Sequence, residues 1–308
     1  MVDRTDRHFR YLLRGITRRT LLYTEMVVAR AVTAGRADAM LAHDPVERPL
    51  ALQLAGDDPT TLAAAARRGE ADGFAEINLN CGCPSSAAHL GRFGVVLMKD
   101  PAAVAAAVAA MRAAVSVPVT VKTRLGVDDL DDDDALDRFV AAIAEAGADR
   151  LIVHARKAWL GGLSPARNRS VPPLQPDRVV ALAQRWPTLR IELNGGLADL
   201  VAARRAVAGT PLTGAMVGRA AWDDPWIFAH ADTQWWSDPE DPAVDRQAVL
   251  ARMVPYAERR AAAGDDPRRV LRSIVGLLRG RPGARGLRAA VLGRGDTEAL
   301  RRACAPAR

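Results

Sequence analysis

Glu76-Ile-Asn-Leu-Asn-Cys-Gly-Cys-Pro-Ser85 reads as a short strand that runs into a tight loop. Its side chains alternate between two faces, which puts Asn78 and Asn80 on the same one. Gly82 makes the turn and Pro84 fixes the exit. Similar short apolar or β-branched runs recur at 20–24, 50–54, 117–123, 150–154, 189–194 and 213–218. Ala-rich stretches with helical spacing lie between them, at 30–41, 59–72, 101–115, 134–146, 176–186 and 197–208. Repeated βα alternation predicts a parallel sheet with helices outside. The strands are near-continuous apolar runs, as expected where both faces are buried.

That pattern contains seven strands, and a closed (β/α)8 TIM barrel has eight. Residues 6–16 carry Phe9, Leu12, Leu13 and Ile16 at helical spacing, so a helix precedes the first visible strand. The expected fold is therefore a (β/α)8 TIM barrel whose first strand is missing or truncated. That strand lies upstream of Met1, or survives only as Met1-Val2-Asp3. Alternation stops near Phe228, and helical patterns follow at 243–263, 267–278 and 285–291. The predicted organisation is a barrel over 1–234, an acidic Pro-containing linker over 235–242 and a small helical domain over 243–308.

The chain has 308 residues, 49% apolar and 26% charged, enough for a full core and no case for disorder. No apolar run approaches the roughly 20 residues of a membrane span. The charged start, Met1-Val2-Asp3-Arg4, carries no secretory pattern. Three cysteines, Cys81, Cys83 and Cys304, make no disulfide framework, which points to a reducing, cytoplasmic setting. The Cys81-x-Cys83 pair lacks a second Cys/His pair, so no metal site is expected. The acidic run from Asp128 to Asp134 reads as helix-capping and first-turn carboxylates.

Charge is distributed unevenly. The net charge is +7, and the first 239 residues balance at 28 basic and 28 acidic side chains. From Pro267 to Arg308 there are 11 Arg against Asp296 and Glu298. The chain prefers Arg to Lys, but that bias does not remove acids from one segment. A basic segment of this kind suits a polyanion such as a nucleic acid.

Parallel barrels build their sites at the C-terminal ends of the strands. Here those ends carry Gln53, Asn78 and Asn80, Lys122 and Arg124, His154, Asn194 with Gly195-Gly196, and Gly218-Arg219. The glycines after the last two strands suit a phosphate, to which Arg219 adds donors. Gln53, Lys122 and His154 are then placed to bond the polar edge of a planar ring. One phosphate, one ring and no G-x-G-x-x-G describe a flavin mononucleotide (FMN) layout. Cys83 faces the same mouth. A packing role remains open for it, but above a flavin the economical role is proton donor. Cys81 reads as packing.

With these residues in view, the chain resembles the tRNA-dihydrouridine synthases. The segments that carry the resemblance include Thr5-Asp-Arg-His-Phe-Arg-Tyr, Leu22-Tyr-Thr-Glu-Met-Val, Ala51-Leu-Gln-Leu, the stretch from Glu76 to Ser85, Gly91-Arg-Phe-Gly, Val121-Lys-Thr-Arg-Leu-Gly, Val153-His-Ala-Arg-Lys, Asn168-Arg, Asn194-Gly-Gly, Met216-Val-Gly-Arg and Arg281-Pro-Gly-Ala-Arg. The resemblance implies NADPH-dependent reduction of a D-loop uridine of tRNA to 5,6-dihydrouridine. Hydride passes from reduced FMN to C6, and Cys83 protonates C5. It also implies FMN binding by Gln53, Lys122, His154, Asn194, Gly195, Gly196, Gly218 and Arg219. Asn80 and Arg169 match tRNA-contacting positions, and Arg285 and Arg288 are candidates for the phosphate backbone. The substrate uracil must then leave its stack to reach the ring.

The sequence departs from that family in two places. A Pro-Met-Met segment that ends the family's first strand has only Met1-Val2 in its place, and a tRNA-contacting lysine is Ala166 here. The first departure leaves a non-catalytic tRNA-binding remnant without FMN as the alternative. A flavin barrel acting on a free pyrimidine is a third reading, disfavoured by the basic helical segment. No obligate protein partner is evident.

Overall fold

The computed structural model describes residues 1–280, 284–294, 298 and 301. Cys304, Asp296 and the Arg281-Pro-Gly part of the quoted motif lie outside them. The chain forms two compact units. One comprises Tyr23–Ala42 and Leu50–Gly218; the other comprises Met1–Leu22, His43–Pro49 and the described residues from Arg219 onward.

The first unit is built on a seven-stranded sheet of parallel strands in sequence order, β1 (Leu22–Val28), β2 (Leu50–Ala55), β3 (Glu76–Asn80), β4 (Val119–Arg124), β5 (Arg150–His154), β6 (Arg190–Asn194) and β7 (Gly214–Met216). Helices intervene, as the βα pattern predicts, giving a TIM-barrel-like (β/α) fold. Met1 to Arg4 form a turn closed by the Arg4 amide on the Met1 carbonyl at 3.0 Å, so no strand remnant exists there. Strand centres are fully buried: Leu52, Leu54, Ile77, Leu79, Val119, Val121, Leu151 and Val153 have no solvent exposure. Helices Pro59–Ala71 and Pro101–Ala114 start with proline behind a capping aspartate, Asp58 or Asp100, whose carboxylate accepts a backbone N–H.

Register matters most for the site. Gln53 stands beside Asn78 and Asn78 beside Thr120. Asn80 stands beside Lys122, Arg124 beside His154, and His154 beside Asn194. The polar side chains therefore lie on three successive rungs near the C-terminal ends of the strands: Gln53-Asn78-Thr120, Asn80-Lys122 and Arg124-His154-Asn194.

Two local readings are corrected. The first strand runs on to Val28, because Met26, Val27 and Val28 extend the sheet instead of leading a helix. The helix expected over 30–41 is two short helices, Ala29–Thr33 and Asp38–Leu41. Gly35 between them has φ +66°, which breaks a right-handed helix. In the acidic run, Asp132 caps helix Asp133–Glu145, Asp131 pairs with Lys157 at 2.8 Å, and Asp128 pairs with Lys99 at 2.7 Å.

The second unit is helical. Helix Arg7–Arg14 buries Phe9, Leu12 and Leu13 and lies against helix Pro267–Ile274. Tyr11 stacks on Tyr256 with ring centres 3.9 Å apart, and Nδ1 of His8 is 2.9 Å from the Tyr256 hydroxyl. Asp232 accepts from the Thr17 hydroxyl and the Arg18 and Arg19 amides, tying the loop after the first helix to helix Ala231–Trp236. The first two residues of the expected linker, Trp235 and Trp236, thus close a helix. The tail continues as helices Arg246–Ala262, Pro267–Ile274 and Ala284–Arg294.

Candidate active site

Cys83 lies in the loop that leaves β3. Its side chain is half-buried and packs with Met26, Ala55, Ala88 and Phe93. The loop is held from below by Asn80, whose Oδ1 accepts from the amides of Gly82 at 3.1 Å and Cys83 at 3.0 Å. It is held from the side by the Val95 amide, which donates to the Cys83 carbonyl at 2.9 Å. Gly94 makes that approach possible: its φ is +77°, and a Cβ there would collide with the Cys83 carbonyl oxygen. The Cys83 thiol lies 3.4 Å from the Ser85 hydroxyl. Cys81, two residues earlier, is fully buried, and burial pushes its thiol well above the usual range. Cys81 is thus fully buried and Cys83 half-buried.

Lys122 and Arg124, at the end of β4, bring positive charge to the thiol. Burial, then the neighbouring Arg124, lowers the Lys122 ammonium to about 8, while Cys83 acts in the opposite sense. Burial also lowers Arg124, to about 10; Cys83 opposes the shift, and Arg169 and Arg156 add to it. Lys122 donates to Asn194 Oδ1 at 3.0 Å. Arg124 donates to the carbonyls of Gly82, Lys157 and Asn168. Among the described residues neither cation has a carboxylate partner. Two enclosed cations without counter-charge favour an anionic ligand or a developing anion.

The ends of β5 and β6 supply the rest. Asn194 spends its amide on Lys122 and on the Met216 carbonyl, at 3.0 and 2.7 Å. Gly195 and Gly196 follow with φ +105° and +73°. A Cβ on Gly195 would stand 2.5 Å from Cδ2 of His154, and one on Gly196 would collide with Leu174. The backbone here is bare because the space beside it is taken by His154 and Leu174. Gln53, on β2, accepts from Asn80 and donates to Asn78, both at 2.8 Å. Such a pair of bonds leaves one amide hydrogen of Gln53 over.

The structure thus gathers Gln53, Asn80, Cys83, Lys122, His154, Asn194 and Gly195-Gly196 in one unit. Arg169 belongs to the same unit, in the turn Arg167–Arg169. That loop is ordered by Asn168, which donates to the Trp159 and Leu163 carbonyls. Gly218 lies two residues past β7. Arg219 starts helix Arg219–Asp223 of the other unit, which also carries Arg285 and Arg288 on helix Ala284–Arg294. Among the described residues no three His, Cys, Asp or Glu side chains converge as a metal ion would require, and no helix is long and apolar enough to cross a membrane.

Sequence reasoning missed what lies beneath these rungs. Glu76 and Thr120, both buried, join the partly buried Tyr23, Arg150 and Glu192 in a polar cluster. Tyr23 and Thr120 each donate to Glu76 Oε1 at 2.6 Å, while Arg150 pairs with Glu76 and, at 3.2 Å, with Glu192. The usable signal was the period of two in Glu76, Asn78 and Asn80, which puts all three on one face.

Fold and site together define a β/α-barrel-type protein with a cationic mouth around one half-buried thiol. The family model described as dihydrouridine synthase (Dus) matches residues 1–303, and the chain belongs to that family. The chain is similar to the tRNA-dihydrouridine(20/20a) synthase of Synechocystis sp. PCC 6803, at 45% identity over 92% of this chain and 84% of that one. The enzymes of the same name from Xanthomonas axonopodis pv. citri and Escherichia coli K12 are 48% and 46% identical, over 94% and 92% of this chain and 85% and 82% of theirs. None of these relatives supports the non-catalytic alternative. Among solved structures, histamine dehydrogenase from Rhizobium sp. 4-9 has a TM-score of 0.49 and 13% identity over 74% of this chain and 43% of that one, too slight a likeness to bear on function.

Proposed function

We propose that this protein reduces a D-loop uridine of tRNA to 5,6-dihydrouridine, using FMN as hydride carrier and NADPH as reductant. One observation carries the reading: the half-buried Cys83 thiol sits with two uncompensated cations, Lys122 and Arg124, beside the bare Gly195-Gly196 backbone. These residues fit a flavin mononucleotide. Gly195 and Gly196, in positive-φ conformations, are proposed to turn backbone N–H groups toward a phosphate, and Lys122, His154 and the spare hydrogen of Gln53 suit the polar edge of the ring. Gly218, two residues past β7 in the same unit, belongs to the same proposed binding set. When bound, the flavin supplies a hydride to C6 of the uracil.

The residues of the chain account for the other half of the addition. The C5=C6 bond takes the hydride at C6, and C5 takes the thiol proton of Cys83. Cys83 is left as a thiolate, and Lys122 and Arg124 stabilise that charge until solvent returns the proton. Asn80 and Arg169 are the residues proposed to meet the extruded nucleotide. Arg285 and Arg288 serve the phosphate backbone, whose contacts position the RNA while the mouth reads one base.

The test is Cys83→Ala. The variant is expected to keep its flavin and its reduction by NADPH, and to make dihydrouridine at least about 100-fold more slowly, within the range for loss of a general acid. Dihydrouridine formed at the wild-type rate would remove Cys83 from the reaction.

A further inference from the structure

The polar cluster below the mouth is joined to the Cys83 loop by an unbroken chain of hydrogen bonds. Thr120 donates to Glu76 at 2.6 Å. Asn78 donates to Thr120 Oγ1 at 2.8 Å, Gln53 donates to Asn78 Oδ1 at 2.8 Å, and Asn80 donates to Gln53 Oε1 at 2.8 Å. Asn80 Oδ1 then accepts from the amides of Gly82 and Cys83. Every side chain in the series is buried, none more than 8% exposed. Water therefore cannot easily replace a member that turns.

The chemistry at each end sets the direction of the chain. At the lower end, Glu76 is paired with Arg150 and offers only acceptors. Thr120 must spend its one proton there, so its oxygen accepts from Asn78. The Asn78 carbonyl then faces Gln53, the Gln53 carbonyl faces Asn80, and the Asn80 carbonyl faces the loop. At the upper end, two backbone N–H groups demand that same carbonyl. Tyr23 reinforces the lower anchor as a donor, because burial and then the Glu76 charge push its proton affinity well above the usual value. An acceptor anchor below and a donor anchor above agree, so flipping either asparagine or Gln53 sets like against like.

We infer that Glu76 and Thr120 are positioning residues for the proton-donor loop, acting on Cys83 through Asn78, Gln53 and Asn80. The inference rests on the proposed role of Cys83, yet its test needs neither flavin nor tRNA. The relay holds the Gly82 and Cys83 amides against Asn80 and thereby sets the direction of the thiol. It also orients Gln53 from below, so that its free hydrogen keeps one heading.

Hydrogen exchange of the Gly82 and Cys83 amides in the full-length protein, with the rate of Cys83 alkylation by iodoacetamide, reads the relay. Thr120→Val keeps the shape and cuts the chain. It is expected to speed exchange of both amides at least about tenfold and to change the alkylation rate severalfold, with β5 and β6 amides unchanged. Thr120→Ser keeps the hydroxyl and is expected to stay within about twofold of wild type. Thr120→Ala makes the same cut without a clash, should the valine not be accommodated. Wild-type protection in the cut variants, or a serine variant as exposed as the valine one, would overturn the inference. Failure of Cys83→Ala to affect product formation would instead strike the role of the thiol and leave the relay standing.

Discussion

Lys122 lies two residues before the end of β4 and bonds Asn194 at 3.0 Å. Enclosure lowers its ammonium to about 8 in the free protein. An unfolded lysine holds its proton to about 10.4, so between these values the unfolded chain binds more protons and this group makes folding stability rise with pH. Flavin binding runs the other way, because the charged ammonium is the form that favours the electron-rich polar edge of the ring. FMN affinity, followed by fluorescence titration from pH 6 to 10, is expected to be level below about pH 8 and to weaken up to tenfold per pH unit above it. Lys122→Met should bind more weakly throughout and lose that dependence. A wild-type affinity level to pH 10 would remove Lys122 from the flavin site. Lys122, His154 and Asn194 were legible because each ends an apolar run. Glu76 and Arg150 were not, because a charged residue at the start of a strand reads as a solvated edge. Their burial follows only from how the strands meet.

The loop from Cys81 to Ser85 depends on a glycine nine residues past its end. Gly94 has φ +77°, and its open side faces the Cys83 carbonyl. Gly94→Ala carries a left-handed backbone penalty of about 1–3 kcal/mol, to which the collision with the Cys83 carbonyl adds. It is expected to lower Tm and to slow dihydrouridine formation even where the protein remains folded, as thermal unfolding and a product assay would show. An alanine variant as stable and active as wild type would contradict the close approach. The element types were readable from period and punctuation, since proline after aspartate marks several helix starts. The break at Gly35 and the added length of β1 were not. A single glycine inside a helical pattern is ambiguous, and valines serve a strand or a helix start equally.

The described chain divides into a sheet-bearing unit that carries the thiol and a helical unit that carries the basic tail. Charge asymmetry was legible as a count, whereas the grouping of residues 1–22 with the tail was not, because nothing in a local pattern records which distant segments meet. Arg285→Ala with Arg288→Ala is expected to weaken tRNA binding and to reduce the slope of log K against log salt by roughly 1.5 if each neutralises one phosphate. An unchanged slope would remove both from the phosphate track. Among the described residues the sheet has seven strands, one fewer than a closed ring, so flavin retention is the decisive property of the whole molecule. The visible absorption spectrum of the purified protein measures it most directly. The expected result is a flavin band at about 450 nm, with FMN released on denaturation near one equivalent. A colourless protein that takes up no added FMN would contradict the account.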